Sequence, residues 1–534
     1  MENSQAAAIT GSTAARPGYE RWPLIVLLLI TAVWLYRTPY SASDLPIPPD
    51  SVEYALAPLQ LLETGRYEIV VQGRGLPPRY PPWFPVMAIL PAYVLLDHEP
   101  GNAILPITCF AVAGVGFAWA IGRRIASIPG GILAALALLA VPSYSIWARQ
   151  VMTDVPCTAL MLAGCLLYLR IVSRPGSIWF DFFAGMLVAV AMLFRPLLAA
   201  MLLAFAVAIL RSRRKLFVRA VALMLPIASA AVATFIYNRA TFGSPLRNGY
   251  HFWTPVPSDY PALIFSLQYV RSNIHAIAAT VLPALFVIAI VAWLLLRRRR
   301  DVAVDAAYQP LAQTVTFVLF TTVSILLFHL LYFFPGDRFH LPMMAGTAVI
   351  AGSLVALLLG PRWSSTLKLL LPALLLLATV MRIITPEPAP NRRLAAERVR
   401  LLTPENAMVI SAIDPVYLGW FAAHGSPRQI VPVSRRVEYA SKLIAPKKIV
   451  NPEPPPLRWS DHRAVGLIRG GAQEAVPFVA SEQMDALTAD AARGTPLFLE
   501  AMFLGPADAE VLARIQQRFA LIPRAPGLYE MRLL

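Results

Sequence analysis

Four short polar stretches hold the residues whose types and spacing could do chemistry. The first reads Pro49-Asp50-Ser51-Val52-Glu53-Tyr54-Ala55, continues through Leu62-Glu63-Thr64-Gly65, and ends on Arg79-Tyr80-Pro81-Pro82-Trp83. The second reads Ala148-Arg149-Gln150-Val151-Met152-Thr153-Asp154-Val155-Pro156. The third, residues 238–251, carries Phe242-Gly243-Ser244-Pro245 and then Tyr250 and His251. The fourth reads Asp337-Arg338-Phe339-His340-Leu341-Pro342, and Arg195 stands alone in an apolar stretch. A carboxylate within hydrogen-bond reach of a hydroxyl can take its proton, for about 10²–10⁴ in rate. An arginine is always charged and offers a fork of donors to phosphate oxygens.

Each residue also has a purely structural reading. Asp50 opens a stretch with Val52, Ala55, Leu56, Leu59 and Leu62 at helical spacing, where it would serve as an N-cap. Thr153 or Asp154 would cap a helix with Pro156 in its first turn. Arg195 would snorkel to lipid headgroups. Asp337 and Arg338 would be a polar turn between helices. Spacing alone leaves both readings open, with the cap the simpler one for Asp50.

The elements that position these residues are membrane helices. Of 534 residues, 57% are hydrophobic and 14% charged, and the mean hydropathy is +0.60. Soluble chains carry roughly 25% charged residues. Apolar runs are expected to span near 22–40, 102–122, 129–147, 156–171, 178–194, 197–211, 217–237, 275–296, 312–334, 341–360 and 367–384, about eleven spans. The first of these, after Arg16 and Arg21 and before Ser41-Ala42-Ser43, also fits a cleaved leader.

The net charge of +16 would suggest nucleic acid in a soluble protein. Here the basic residues cluster between apolar runs, at Arg123-Arg124, Arg170 with Arg174, Arg211 to Lys215, Arg297 to Arg300, and Arg362 with Lys368. Numbered from a cytoplasmic start, all five clusters fall on the inside, as the positive-inside pattern requires. They point to orientation and contact with membrane lipids, not to nucleic acid. The polar stretches then share the external face. The three cysteines fall inside apolar runs, so neither a structural disulfide nor a zinc site is expected.

The organisation expected is an α-helical polytopic membrane bundle over 1–385 with a small α/β domain over 386–534, outside the cytoplasm. Residues 41–101 form a long first external loop. Its Pro82 to Leu96 segment, short and proline-punctuated, reads as an interfacial or re-entrant helix. Pro386 to Pro390 reads as a stiff linker, and short apolar runs such as Met408 to Ile413 alternate with helical patterns beyond it.

Taken in order, the motifs resemble a family. Asp50 with Tyr54, Leu62-x-x-Gly65, Arg79 before a proline pair, the 149–156 stretch, Phe242 to Pro245 and Asp337 to Pro342 resemble the GT-C class of membrane glycosyltransferases. They are closest in style to bacterial relatives of protein O-mannosyltransferases and of the lipid A aminoarabinose transferase. The resemblance covers residues 22 to about 385.

It implies a polyprenyl-phosphate-linked sugar donor and inverting transfer to a glycan, lipid or protein hydroxyl at the external face of the plasma membrane. It makes Asp50 the base, Asp154 a second acidic residue, and Arg79 and Arg338 candidates for the donor phosphate. Glu53, Tyr54, Arg149, Arg195, Tyr250, His251 and Asp337 become candidate substrate contacts. Ser51 stands where many relatives have an acidic residue, and the loop holds no Asp-x-Asp, so neither a metal nor another cofactor is expected. A transporter of lipid-linked substrate and a scaffold that binds through the C-terminal domain are the alternatives.

Overall fold

The computed structural model describes residues 22–36, 45, 50–71, 74–253, 264–297, 302–333, 336–359, 391–432, 481–505 and 509–534. The expected span near 367–384 and the linker at 386–390 lie outside them. Most of what is described is helix, as the apolar runs require. A backbone surrounded by hydrocarbon must satisfy its own N–H and C=O groups.

Helix α1 (Trp22–Tyr36) leads to α2 (Asp50–Thr64) in the first loop. A hairpin of β1 (Ile69–Val71) and β2 (Arg74–Leu76) and a short helix α3 (Leu90–Leu95) complete that loop. Then come α4 (Ile104–Leu139), α5 (Pro142–Trp147), α6 (Asp154–Ser173), α7 (Ile178–Phe194), α8 (Met201–Ser212), α9 (Leu216–Phe242) and α10 (Gly249–Trp253). The bundle closes with α11 (Val270–Arg297), α12 (Val302–Leu331) and α13 (Leu341–Leu359). Helix α13 packs along α4, and α9 along α7.

Among the described residues, six helices are long and apolar enough to cross a membrane by length and composition. The helices at Pro23–Ala32, Pro85–Leu95, Ile178–Phe194 and Pro196–Ser212 are apolar but shorter. The expected span over 129–147 needs correction. Helix α4 reverses at Ala126 and Ser127, whose backbones leave the helical region, and its second arm stops at Leu139. Val141 is extended and Pro142 starts a separate helix. Pro disfavours helical geometry in the residue before it, so the chain breaks there. The two arms of α4 meet at glycines: a Cβ on Gly122 would lie 2.3 Å from the Gly130 carbonyl oxygen.

The first loop departs from a simple amphipathic helix. Every residue of α2 from Asp50 to Gln60 is buried, the polar ones included. Its apolar face joins the core cluster through Val52, Ala55, Leu56 and Leu59. Its polar face turns toward the side chains of the candidate site, described below.

The C-terminal residues build a five-stranded sheet whose strands lie in the order 429–432, 408–411, 497–500, 528–533 and 519–525. Strand β3 (Met408–Ser411) runs parallel to β4 (Gln429–Pro432) and β5 (Leu497–Glu500). Strands β6 (Phe519–Ala525) and β7 (Leu528–Leu533) form an antiparallel hairpin on β5. A helix at Arg392–Leu402 and a short one at Pro415–Leu418 flank β3. The short helix rests on α2 and on β1, and His424 Nε2 lies 3.6 Å from Glu63 Oε2. This unit therefore packs directly on the loop that carries Asp50.

Candidate active site

Asp50 is the first residue of α2 and only 8% exposed. Its Oδ1 accepts a hydrogen bond from the Tyr80 hydroxyl at 2.5 Å. Its Oδ2 accepts one from Arg338 Nη1 at 3.0 Å. Two residues from distant parts of the chain thus converge on one carboxylate. One turn further along α2, Glu53 is fully buried and accepts the Arg79 backbone N–H at 2.6 Å. Glu53 therefore ties the bend carrying Arg79 and Tyr80 to the helix carrying Asp50.

Tyrosines line this corner. The rings of Tyr54 and Tyr80 lie 4.5 Å apart, and Tyr80 meets Tyr250 edge-on at 5.7 Å. Burial pushes all three phenols above their ordinary value, and the Asp50 charge adds to the effect. They stay protonated, so Tyr80 is a donor to Asp50 across the working pH range. The Arg79 guanidinium lies 5.9 Å from the Tyr250 ring centroid. Gly249 makes this approach possible: a Cβ there would lie 2.3 Å from the Arg79 carbonyl oxygen. Trp253 closes the same contact by donating from Nε1 to the Pro77 carbonyl at 2.8 Å.

A second carboxylate stands beside the first. Asp154 is fully buried at the start of α6, and its Oδ1 accepts from Arg195 Nη1 at 2.5 Å. Both structural readings made from spacing fail here. Among the described residues Thr153, the residue before the helix, makes no side-chain cap, and Asp154 spends one oxygen on Arg195. Arg195 turns inward instead of reaching for headgroups, and its guanidinium supplies the counter-charge that a buried carboxylate requires. Asp154 Oδ2 is buried and, among the described residues, makes no hydrogen bond.

Phe339 joins the two pairs. The Arg195 and Arg338 guanidiniums lie 4.8 Å and 5.0 Å from its ring centroid. The ring itself stacks on His329 at 5.1 Å and 22°. Arg338 also lies 5.7 Å from the Trp147 ring. A 3-10 turn, Asp337–His340, presents Arg338 and Phe339 just ahead of α13.

Of the residues proposed from sequence, Asp50, Glu53, Tyr54, Arg79, Tyr250 and Arg338 come together around the first carboxylate. Arg195 and Asp154 form the neighbouring pair, joined through Phe339. Arg149 is buried in the turn ahead of α6. His251 faces back into its own turn, with Nδ1 2.8 Å from Asn248 Oδ1. Asp337 is described by its backbone alone. Sequence reasoning missed Tyr80, Trp147, His329 and Phe339 as members. Tyr80 and Phe339 lie inside the quoted motifs, beside Arg79 and Arg338, but nothing in their type marks them off from core aromatics.

The arrangement offers an oriented carboxylate, a second buried one, and two cations held by an aromatic ring. Residues 80–237 match the family model described as dolichyl-phosphate-mannose-protein mannosyltransferase. No curated protein sequence matches the chain. ArnT from Cupriavidus metallidurans in the apo state superposes with a TM-score of 0.54 at 13% identity, covering 96% of this chain and 98% of that one. The same protein bound to undecaprenyl phosphate gives 0.49 at 16% identity over the same shares. The Archaeoglobus fulgidus oligosaccharyltransferase tethered with an acceptor peptide gives 0.44 at 12% identity, over 80% of this chain and 68% of that one. The family match and the fold shared with ArnT bear out the resemblance read from the motifs: this chain is similar to the GT-C class of membrane glycosyltransferases.

Proposed function

We propose that the protein is an inverting membrane glycosyltransferase that moves a sugar from a polyprenyl-phosphate donor to an acceptor hydroxyl. The observation that carries the reading is the convergence of Tyr80 and Arg338 on the Asp50 carboxylate, in a chain whose family match is to lipid-phosphate-dependent transferases. Asp50 acts as base. The acceptor oxygen forms a bond to the sugar anomeric carbon as the bond from that carbon to the phosphate oxygen breaks. The hydroxyl proton passes to Asp50, and the bonding electrons leave with the polyprenyl phosphate. One base and a phosphate leaving group suffice, so no covalent intermediate is needed. Arg338 and Arg79 supply charge for the phosphate, which gains negative charge in the transition state. Asp154, held by Arg195, orients the acceptor or the sugar.

A lipid donor requires a site at the membrane surface. On the positive-inside orientation the site and the C-terminal sheet face outward from the plasma membrane. The acceptor is a glycan, lipid or protein hydroxyl.

The test is transfer of labelled sugar from polyprenyl-phosphate donors by the purified protein in lipid. Asp50→Asn, which keeps size and the Tyr80 contact, is expected to lose transfer by at least about a hundredfold while remaining folded. Equal transfer by both proteins would remove Asp50 from the chemistry. No transfer with any donor would favour a transporter or a scaffold.

A further inference from the structure

We infer that Arg338 is exchanged between Asp50 and the donor phosphate, so that arrival of the donor is what exposes the base. The inference rests on the transferase reading above. In the structure Arg338 binds Asp50 Oδ2 while Tyr80 binds Oδ1, so both oxygens of the base are engaged. Each oxygen keeps a second lone pair, but a guanidinium on Oδ2 competes with the incoming hydroxyl for that oxygen. Of its two partners, Tyr80 is the fixed one. It is buried, its ring packs between Tyr54 and Tyr250, and its backbone sits beside the Arg79 N–H that Glu53 holds.

Arg338 is the movable partner. Its guanidinium touches the rings of Trp147 and Phe339, and the side chain of its carboxylate partner keeps 11% of its surface exposed, where that of Asp154 keeps none. Attraction to an aromatic face is weakly directional within the plane of the ring, so the guanidinium can slide along these rings without losing them. Arg195 contrasts with it. Arg195 contacts the same Phe339 ring, but its carboxylate partner is fully buried at the start of α6. One arginine is anchored and the other is free to trade.

The charge balance of the reaction fits such a trade. When the donor arrives, Arg338 turns to its phosphate and Asp50 keeps the Tyr80 hydroxyl until it takes the proton. During transfer Asp50 takes the hydroxyl proton and becomes neutral, while the departing phosphate gains a charge. A cation that follows the charge from carboxylate to phosphate is paired at every stage, and an unpaired buried charge is costly. When the phosphate leaves, Asp50 gives up its proton and Arg338 returns.

Binding of undecaprenyl phosphate to four proteins in lipid nanodiscs tests this: wild type, Asp50→Asn, Arg338→Gln, and the double variant, each checked for folding by thermal melting. If Asp50 competes with phosphate for Arg338, Asp50→Asn binds roughly tenfold tighter than wild type, the scale of one charge-assisted hydrogen bond. The gain disappears in the Arg338→Gln background. Arg338→Lys, which keeps the charge without the fork, serves if the glutamine variant does not fold, and it should show a reduced gain. Unchanged or weaker binding by Asp50→Asn overturns the exchange. So does an equal gain with and without Arg338, which would be a general effect of removing an anion. In either case wild-type binding persists and the transferase reading stands. Absence of saturable binding by wild type, together with absence of sugar transfer, overturns both.

Discussion

The Asp50 carboxylate and the Arg338 guanidinium meet at 3.0 Å although 288 positions separate them in the chain. The pair joins the loop between α1 and α4 to the turn that opens α13. It places the candidate base against the candidate phosphate-binding residue before any substrate is considered.

Tyr80 holds the other oxygen of Asp50 at 2.5 Å. Tyr80→Phe removes that donor and leaves the ring packing in place. The expected result is a fall in kcat of about tenfold to a hundredfold, the scale of a hydrogen bond to a charged group, with KM for the donor little changed. A change confined to KM would place Tyr80 in substrate binding and not in orienting the base.

Asp154→Asn strips Arg195 of its buried counter-charge. Losing one partner of a buried pair costs about 3–5 kcal/mol, and partial exposure of Arg195 puts the expectation at the low end. Thermal unfolding in detergent reads the loss. Asp154→Asn combined with Arg195→Met should recover most of the stability without recovering transfer.

Asp181 and Arg219 form a fully buried pair, between α7 and α9. Arg219 Nε meets Asp181 Oδ2 at 2.6 Å and Nη2 meets Oδ1 at 3.0 Å, while Nη1 is bonded to Ser212. The contact is bidentate and holds the two helices together, away from the Asp50 cluster. Asp181→Asn is expected to lower unfolding stability by about 3 kcal/mol or more. Transfer per folded molecule should stay within about twofold of wild type, within the scatter of uncoupled sites. A large fall in specific activity would mean that this pair communicates with the site.

Gly249→Ala would push a methyl group into the Arg79 backbone, where no side chain can yield. Overpacking of this kind costs about 1–3 kcal/mol. Because the displaced bend also carries Tyr80, the fall in kcat/KM should exceed what the stability loss explains. A stability loss with normal kcat/KM would show that the loop repacks without moving the site.

The C-terminal sheet should respond to pH. Burial pushes the Glu500 carboxyl up to about 7, against hydrogen bonds from Ser411 and the Met502 N–H. Burial likewise raises Asp414 to about 6. A raised folded value means that the folded state favours the protonated form. The contribution is therefore fully present below the unfolded values near 4 and is lost as pH rises through 6 to 7. Denaturation between pH 5 and 8 should show falling stability, by up to roughly 3 kcal/mol for Glu500. Glu500→Gln should flatten much of the slope.

The sequence by itself determined the solvent of this protein and the outline of its bundle. Burying about twenty apolar side chains in hydrocarbon is a sum of local terms, so each run could be read where it stands. It also determined that the acidic and basic candidates lie in connections between runs. One local signal went unread: Pro142 ends what looked like one span over 129–147, for a reason confined to two residues.

Only the tertiary structure decided partners. Asp50 and Asp154 both look like helix caps, because capping requires no more than a short acidic side chain at a helix start. Whether a carboxylate spends its lone pairs on its own helix or on a distant arginine depends on which guanidinium folding brings near. Arg195 reaches Asp154 over 41 positions, and Asp181 reaches Arg219 over 38. Nothing periodic records such distances. The place of Phe339 between two arginines was equally hidden, since an aromatic residue beside an arginine in sequence has no fixed relation to it in space. Local free energies set the helices, and long-range pairing of charges that could not remain buried alone set the site.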